Sequence, residues 1–349
     1  MSRTLIIGGG GSAGHVLPSL RISEHLKDKN WNIYYVGGKN SIEETLCKKH
    51  GVRFFSIKTA KFDRTHKLTL PLSAFFNLIG IIQSFFLFLK LKPNAVFVTG
   101  GFASLPVVVG ARIIGVKIID IHVCDLSLGL AHKLSIPFAT HITCTFSRTA
   151  EKFKKGKYVG PIASYIKKSS IELNSDRSRQ KLLVYGGSLG AKAINQKVRS
   201  SINELLIDYD IIHICGAGNL SLDLISLNGY SQFEFVHDFS SVLSEVDIAI
   251  CRGGANSLWE LILAGIPHLA IPLPLSVSRG DQIENCEYFA SLGITVFLEQ
   301  EEFITSDISL KLKQISASSY EIKNNMIKII PKELAQTVIE DILEGEEIV

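Results

Sequence analysis

The sequence predicts an α/β protein of two Rossmann-like, doubly wound domains facing a central cleft, and three observations predict it. The chain has 349 residues, which at roughly 100–200 residues per domain suits two domains of similar size. Short apolar runs bounded by Gly, Asn or Asp alternate with longer segments of helical period, the pattern of repeated βαβ units around parallel sheets. Both halves also open alike: LIIGGGGSAGH at 5–15 and LLVYGGSLGAKAIN at 182–195 each run a strand into glycines and then into a helix. Folds of this kind take their ligands outside the carboxyl ends of the strands.

Taken in order, the first half offers strands at 3–8, 32–37, 95–99, 117–121 and 141–145, and the second at 181–185, 210–214, 247–251 and 268–271. Between 160 and 180 the chain has mixed polarity and little periodicity, so it reads as a first domain over 1–160, a linker over 161–180 and a second domain over 181–335. A final helix and tail follow at 336–349, and periodicity does not say which domain receives them.

Composition removes several classes. Hydrophobic residues make up 46% and charged residues 20%, with 10 Pro and 28 Gly, which excludes disordered, collagen-like and low-complexity chains. Cys47, Cys124, Cys144, Cys215, Cys251 and Cys286 form no C-x-x-C pair, so neither zinc nor a disulfide framework is indicated, and a reducing cytosol is expected. The apolar run Thr4–Ile7 enters a glycine cluster at once, unlike a signal peptide. Residues 1–160 carry 22 Lys+Arg against 8 Asp+Glu, whereas residues 161–349 carry 15 against 25. A basic half suits an anionic partner. Nucleic acid is not selected, because the lysines are dispersed and no zinc finger or RNP-like motif accompanies them.

The segment LSAFFNLIGIIQSFFLFLKL at 72–91 is long enough to span a bilayer. Its pattern predicts a crossover helix instead. Ser73, Asn77, Gly80 and Ser84 form a small or polar stripe, and Phe75, Phe76, Ile79, Ile82, Phe86 and Leu89 occupy the wider remaining face. With Lys58, Lys61, Arg64 and Lys67 upstream, that face suits a reversible contact with an anionic membrane surface.

A glycine turn between strand and helix lets a phosphate approach backbone N–H groups at the positive end of the helix. In the first such turn His15 follows Gly14 at the expected helix start, where an imidazole suits a general base. The second, Gly186 to Ala191, offers the Ser188 hydroxyl and the amides near Gly187 and Gly190 to a diphosphate. It lacks the G-K-[ST] of a P-loop and departs from G-x-G-x-x-G. Asp208-Tyr209-Asp210 mimics a metal-binding D-x-D but precedes a strand, and reads as solvated turn residues; no metal and no cofactor are indicated. In CRGGANSLWE at 251–260, Glu260 reads as three or four positions into a helix, where a carboxylate accepts two hydrogen bonds from a cis-diol such as ribose.

Six stretches then carry a resemblance: GGGGSAGHVLPSL at 8–20, TGGFASLPVVVGAR at 99–112, IHVCDLSLGLAHKL at 121–134, YGGSLGAKAINQ at 185–196, CRGGANSLWELILAGIPHLAIPLP at 251–274 and SRGDQIENCEYF at 278–289. In order and spacing the chain resembles the MurG-type family of peptidoglycan synthesis. The resemblance implies an inverting GT-B glycosyltransferase that moves N-acetylglucosamine from UDP-N-acetylglucosamine onto an undecaprenyl-diphosphate-linked muramoyl-pentapeptide, at the cytoplasmic face of the inner membrane. It implies an acceptor- and membrane-facing first domain and a donor-binding second domain.

Position by position, the resemblance makes Ser188 and its neighbouring amides a diphosphate contact and Glu260 the ribose partner. It puts Arg252 and Ala255 beside the nucleotide, Gln282 on the sugar, and Phe235 and Val236 near the uracil. Ser12, Gly14, His15, Gly100, Gly101 and Asp125 fall on the acceptor side, with His15 and Asp125 the alternative bases. Two positions depart from the family pattern. His122-Val123 stands where the family has His-Glu, and the junction Gly160-Pro161-Ile162-Ala163-Ser164 lacks the family's arginine. A related enzyme with another acceptor, a UDP-sugar epimerase on the same plan, and a non-catalytic scaffold for UDP-sugar or lipid remain the alternatives.

Overall fold

The computed structural model describes residues 3–60, 70–163, 178–187 and 190–345. By internal contacts the chain forms two compact units, Met1–Ala163 with Pro331–Val349, and Ser164–Ile330.

In the first unit the strands are β1 (Arg3–Gly8), β2 (Trp31–Gly38), β3 (Arg53–Ile57), β4 (Ala95–Val98), β5 (Ile118–Val123), β6 (His141–Cys144) and β7 (Gly156–Tyr158). They form one parallel sheet in the order β3-β2-β1-β4-β5-β6-β7. Alternation along β1 sends Leu5 and Ile7 into one apolar cluster with Tyr35 and Phe97, and Ile6 into another with Val36, Val96 and Val98. A sheet buried on both faces needs continuous apolar strands, which is why these runs are legible. The sequence reading did not include β3 and β7. Both lie at the edges and are half-exposed, so their residues need not be uniformly apolar.

The second unit repeats the plan with β8 (Gln180–Tyr185), β9 (Tyr209–Ile214), β10 (Tyr230–Phe233), β11 (Ile248–Cys251), β12 (His268–Ala270) and β13 (Val296–Phe297). Its parallel order is β10-β9-β8-β11-β12-β13, and the two strands absent from the sequence reading, β10 and β13, are again the edges. Strand order therefore reverses between β1 and β4 in one sheet and between β8 and β11 in the other. These are the topological switch points.

The helix Leu70–Leu91 connects β3 to β4, so both its ends return to one sheet. It docks through its small stripe: Ser73, Asn77, Gly80, Ser84 and Phe88 are buried. Gly80 lies against Pro106, and Gly110 lies against Ser84, so bulkier residues would part this helix from the helix Ser104–Ile113. Asn77 Nδ2 donates to the Ala60 carbonyl at 2.9 Å. The apolar side faces outward, with Phe75 57%, Ile82 49% and Phe86 64% exposed, and Leu72, Leu78 and Leu89 exposed beside them. Phe76 and Ile79 are half-buried. Lys61, Arg64 and Lys67 lie outside the described residues.

The last helix, Ala335–Glu344, belongs to the first unit. Its Val338, Ile339 and Leu343 join the cluster that contains Leu5, Leu20 and Trp31. Lys29 Nζ and His25 Nε2 meet Glu340 at 2.5 and 2.9 Å, and Arg3 meets Glu344 at 2.8 Å. Burial alone would raise the Glu340 pKa, but hydrogen bonds from Lys29 and His25 hold it below the usual value. Apolar packing outweighs these surface pairs, each worth about 0–1 kcal/mol. Ile339→Ala, at a fully buried position, is expected to destabilise the first unit by about 2–5 kcal/mol in denaturant unfolding, against less than about 1 kcal/mol for Glu340→Gln.

Candidate functional site

In the first unit, two glycine turns meet at the switch point. β1 runs through Gly8–Gly11 into the helix Ala13–His25, and β4 runs through Thr99, Gly100 and Gly101 toward the helix Ser104–Ile113. Gly10 N–H donates to the Gly100 carbonyl at 3.2 Å. A Cβ on Gly101 would overlap the Gly10 carbonyl, and Gly101 has φ +78°, so sterics and backbone both require glycine. Ser12 takes the N-cap position with extended backbone but makes no capping bond through its side chain, and Ser12 and Gly14 are exposed. The Ser12 hydroxyl thus does not supply the side-chain acceptor that an N-cap serine usually offers the first turn.

His15 stands in that first turn, half-buried, with Nδ1 3.1 Å from the Thr99 carbonyl. A carbonyl only accepts, so Nδ1 is the donor, and in the neutral ring that leaves the lone pair on Nε2. Asp125 follows β5, half-buried, and its carbonyl accepts from Thr149 Oγ1 at 3.5 Å. The ring of His132, on the helix Leu130–Ser135, lies edge-to-face with His15 at 6.1 Å between centroids.

The two departures from the family pattern acquire a physical setting. Val123 is fully buried in a cluster with Ile142, Cys144 and Ala150, where a carboxylate would have to be desolvated. His122 is buried between Thr143 Oγ1 at 3.1 Å and Thr145 Oγ1 at 2.9 Å, and burial, then the nearby His132, lowers its pKa to about 3. At the junction, Arg21 Nη1 donates to the Ile162 carbonyl at 2.9 Å.

The second unit builds its switch point the same way. Gly187 follows β8 with φ +91°, and Gly190, φ +74°, precedes the helix Lys192–Ser200. A Cβ on Gly190 would overlap the Cys215 carbonyl at the end of β9. Ser188 lies outside the described residues. Across the switch point, β11 leads through Arg252, Gly253 and Gly254 into the helix Ala255–Ala264. Neither N-cap residue, Ala191 or Gly254, makes a side-chain capping bond. The helix starts earlier than the sequence reading placed it, so Glu260 is its sixth residue rather than third or fourth. Dipole stabilisation is confined to the first turn and does not account for an acid in the second.

Glu260 is half-buried near Tyr185, whose phenol donates to the Ser257 carbonyl at 3.2 Å and whose ring meets Phe239 edge-to-face at 5.1 Å. Burial, then the neighbouring Cys251 and Glu260, pushes the Tyr185 phenol up and keeps it a donor. Arg252 is anchored, donating to the carbonyls of Ile271 and Pro272 at 3.2 and 3.3 Å and to Gln300 Oε1 at 2.9 Å, and burial lowers its pKa. Gln282 Oε1 accepts from Leu273 N–H at 3.0 Å, and among the described residues its Nε2 makes no hydrogen bond. Phe235 and Val236 follow β10, Phe235 exposed and in ring contact with His237. Asp208 and Asp210 lie instead at the amino end of β9, paired with Lys313 at 2.9 Å and Arg179 at 3.4 Å.

The structure thus adds Thr99, His132 and Tyr185 to the residues singled out in the sequence. Only Tyr185 had a legible signal, as the last residue of a strand that runs into glycines.

Residues 5–144 match the glycosyltransferase family 28 N-terminal domain, and residues 181–341 match the glycosyltransferase family 28 C-terminal domain. A protein of Legionella pneumophila named UDP-N-acetylglucosamine--N-acetylmuramyl-(pentapeptide) pyrophosphoryl-undecaprenol N-acetylglucosamine transferase is 36% identical over 99% of this chain and 98% of its own. One of Bacillus cereus, named as transferase 2 of the same kind, is 36% identical over 98% of this chain and all of its own. Among solved structures, MurG of Acinetobacter baumannii matches with a TM-score of 0.76 at 22% identity over 98% of this chain and 99% of that one. The Streptomyces sp. SF2575 glycosyltransferase SsfS6, complexed with thymidine diphosphate, matches at 0.66 and 12% identity over 98% and 99%. The structural likenesses show a shared GT-B fold, and by its full-length sequence identity the chain belongs to the MurG family of N-acetylglucosaminyltransferases within glycosyltransferase family 28.

Proposed function

We propose that this chain transfers N-acetylglucosamine from UDP-N-acetylglucosamine to undecaprenyl-diphosphate-linked N-acetylmuramoyl-pentapeptide, with inversion, while bound peripherally to the cytoplasmic face of the cell membrane. The observation that carries it is the second unit's switch point, where two helix N-termini without side-chain caps flank one crevice and Glu260 sits one turn inside. Such termini suit a diphosphate. A carboxylate suits the ribose diol. Gln282 Nε2 is available to the sugar, and Phe235 and Val236 suit the uracil.

The reaction then needs one base and one stabilised leaving group. His15 Nε2 takes the acceptor hydroxyl proton, the oxygen attacks the anomeric carbon, and the bond to the UDP oxygen breaks on the opposite face. Amides near Gly187, Gly190 and Ala255 stabilise the charge left on the diphosphate. Asp125 is the alternative base. The exposed first-turn amides at Ser12–Gly14 and the turn at Gly100 and Gly101 suit the acceptor's own diphosphate.

The outward face of the helix Leu70–Leu91 supports the membrane reading. Phe75, Ile82 and Phe86 are exposed on it, and Lys58, also exposed, precedes the helix with its carbonyl against Gly80 on the docked stripe. A surface so apolar marks an interaction site. Shallow insertion contributes up to about 1.5–3 kcal/mol for each fully buried side chain.

Glu260→Ala is expected to weaken UDP binding by about 1.5–4 kcal/mol in titration calorimetry with the fold intact; unchanged affinity would remove the ribose role. His15→Ala should lower kcat about 100-fold or more with UDP affinity retained, and full turnover in that variant moves the base to Asp125, which Asp125→Asn tests in the same assay. Since Phe75 and Phe86 are exposed, replacing both by Ser should preserve the circular dichroism spectrum while weakening sedimentation with anionic vesicles by about tenfold or more. Undiminished vesicle binding by that folded variant rejects the membrane contact.

A further inference from the structure

The proposed base is held by two residues to which no role has yet been given. Thr99 is fully buried just past β4. Its hydroxyl donates to the main-chain carbonyl of His15, while its own carbonyl accepts from His15 Nδ1 at 3.1 Å. Thr99 Oγ1 also lies 3.0 Å from Ser19 Oγ, which donates to the Gly8 carbonyl at 3.1 Å. One threonine therefore fixes both backbone and imidazole of His15 against the end of β1.

His132 completes the clamp. It is 4% exposed, and its ring stands at 72° to that of His15. The ring occupies the space beside Gly100 that a Cβ would need, with Cε1 at 2.5 Å and Nε2 at 2.6 Å from that position, and Gly100 itself has φ +101°. A bare glycine in the β4 turn thus lets a buried histidine reach the candidate base.

A neutral imidazole free in water exchanges between two tautomers, and only the one with a bare Nε2 accepts a proton there while Nδ1 is engaged. We propose that Thr99 and His132 are positioning residues that hold His15 in one orientation as the Nε2-bare tautomer. This rests on the reading of His15 as base, because a fixed lone pair is needed for proton removal in a defined direction.

The test uses the full-length protein with ring-labelled histidine, observed by nitrogen NMR near about pH 8, where an ordinary imidazole is neutral. His15 should show a protonated Nδ1 and a bare Nε2. Thr99→Val and His132→Leu should each give averaged ring-nitrogen shifts, with kcat lowered by about tenfold or more and KM for UDP-N-acetylglucosamine within about twofold of the parent. Thr99→Ser, which restores the hydroxyl, should return the parental tautomer. A folded Thr99→Val or His132→Leu protein that keeps the parental shifts overturns the proposal. Should both variants fail to fold, the parent protein alone decides, since a bare Nδ1 on its His15 also overturns it. Ring shifts do not depend on turnover, so failure of the clamp is told apart from failure of His15 as base.

Discussion

Two backbone turns can meet at the carboxyl edge of a parallel sheet only where side chains are absent, and the rest of the molecule depends on that close approach. In the first unit, Gly101 lies so near the Gly10 carbonyl that any Cβ would collide; in the second, Gly190 stands in the same relation to the Cys215 carbonyl. Both contacts occur at or beside the point where strand order reverses, between β1 and β4 and between β8 and β11. Reversal opens a crevice, and glycine lets helix N-termini border it without side chains filling it. The helices at Ala13, Lys192 and Ala255 all begin there without side-chain caps. A Ser, Thr, Asp or Asn side chain ordinarily caps such an end, so an N-cap residue that makes no capping bond forgoes some stability at a helix terminus suited to anions.

A second consequence concerns the crossover that must carry the chain from β3 to β4. Its helix, Leu70–Leu91, buries a stripe of small and polar residues with Phe88 and exposes Leu72, Phe75, Leu78, Ile82, Phe86 and Leu89, nearly the inverse of an ordinary surface helix. Close packing explains the inner face, because Gly80 against Pro106 and Gly110 against Ser84 leave no room for bulk. Water does not explain the outer face. Exposed Phe75 and Phe86 are unfavourable in solution and favourable at a lipid surface, which is why the proposed function gives this crossover helix the membrane contact.

Central strands were legible in the sequence because burial on both faces demands continuous apolar runs, as in LIIG and AVFV. The edges β3, β7, β10 and β13 carry no such demand and escaped notice. The destination of Ala335–Glu344 depends on a cluster assembled from Leu5, Leu20 and Trp31, more than 300 residues away in the chain, which local periodicity does not encode. Glycine turns, His15 and Glu260 stood out by residue type and spacing. Thr99 and His132 did not, because their relation to His15 arises from the pairing of β4 with β1 and from the space that Gly100 leaves open. Val123 illustrates the converse: its departure from the family pattern was visible at once, whereas its place in a wholly apolar cluster appeared only in three dimensions.

The central claim is that open helix N-termini and a lipid-facing first unit together serve one sugar transfer. Its most direct measurement incubates the purified chain with radiolabelled UDP-N-acetylglucosamine and undecaprenyl-diphosphate-linked N-acetylmuramoyl-pentapeptide in anionic vesicles, then assigns the anomeric configuration of the product. The account predicts label in a lipid-linked disaccharide with a β linkage, inverted from the α-configured donor. Label confined to UDP-sugar, or an α-linked product, would contradict it.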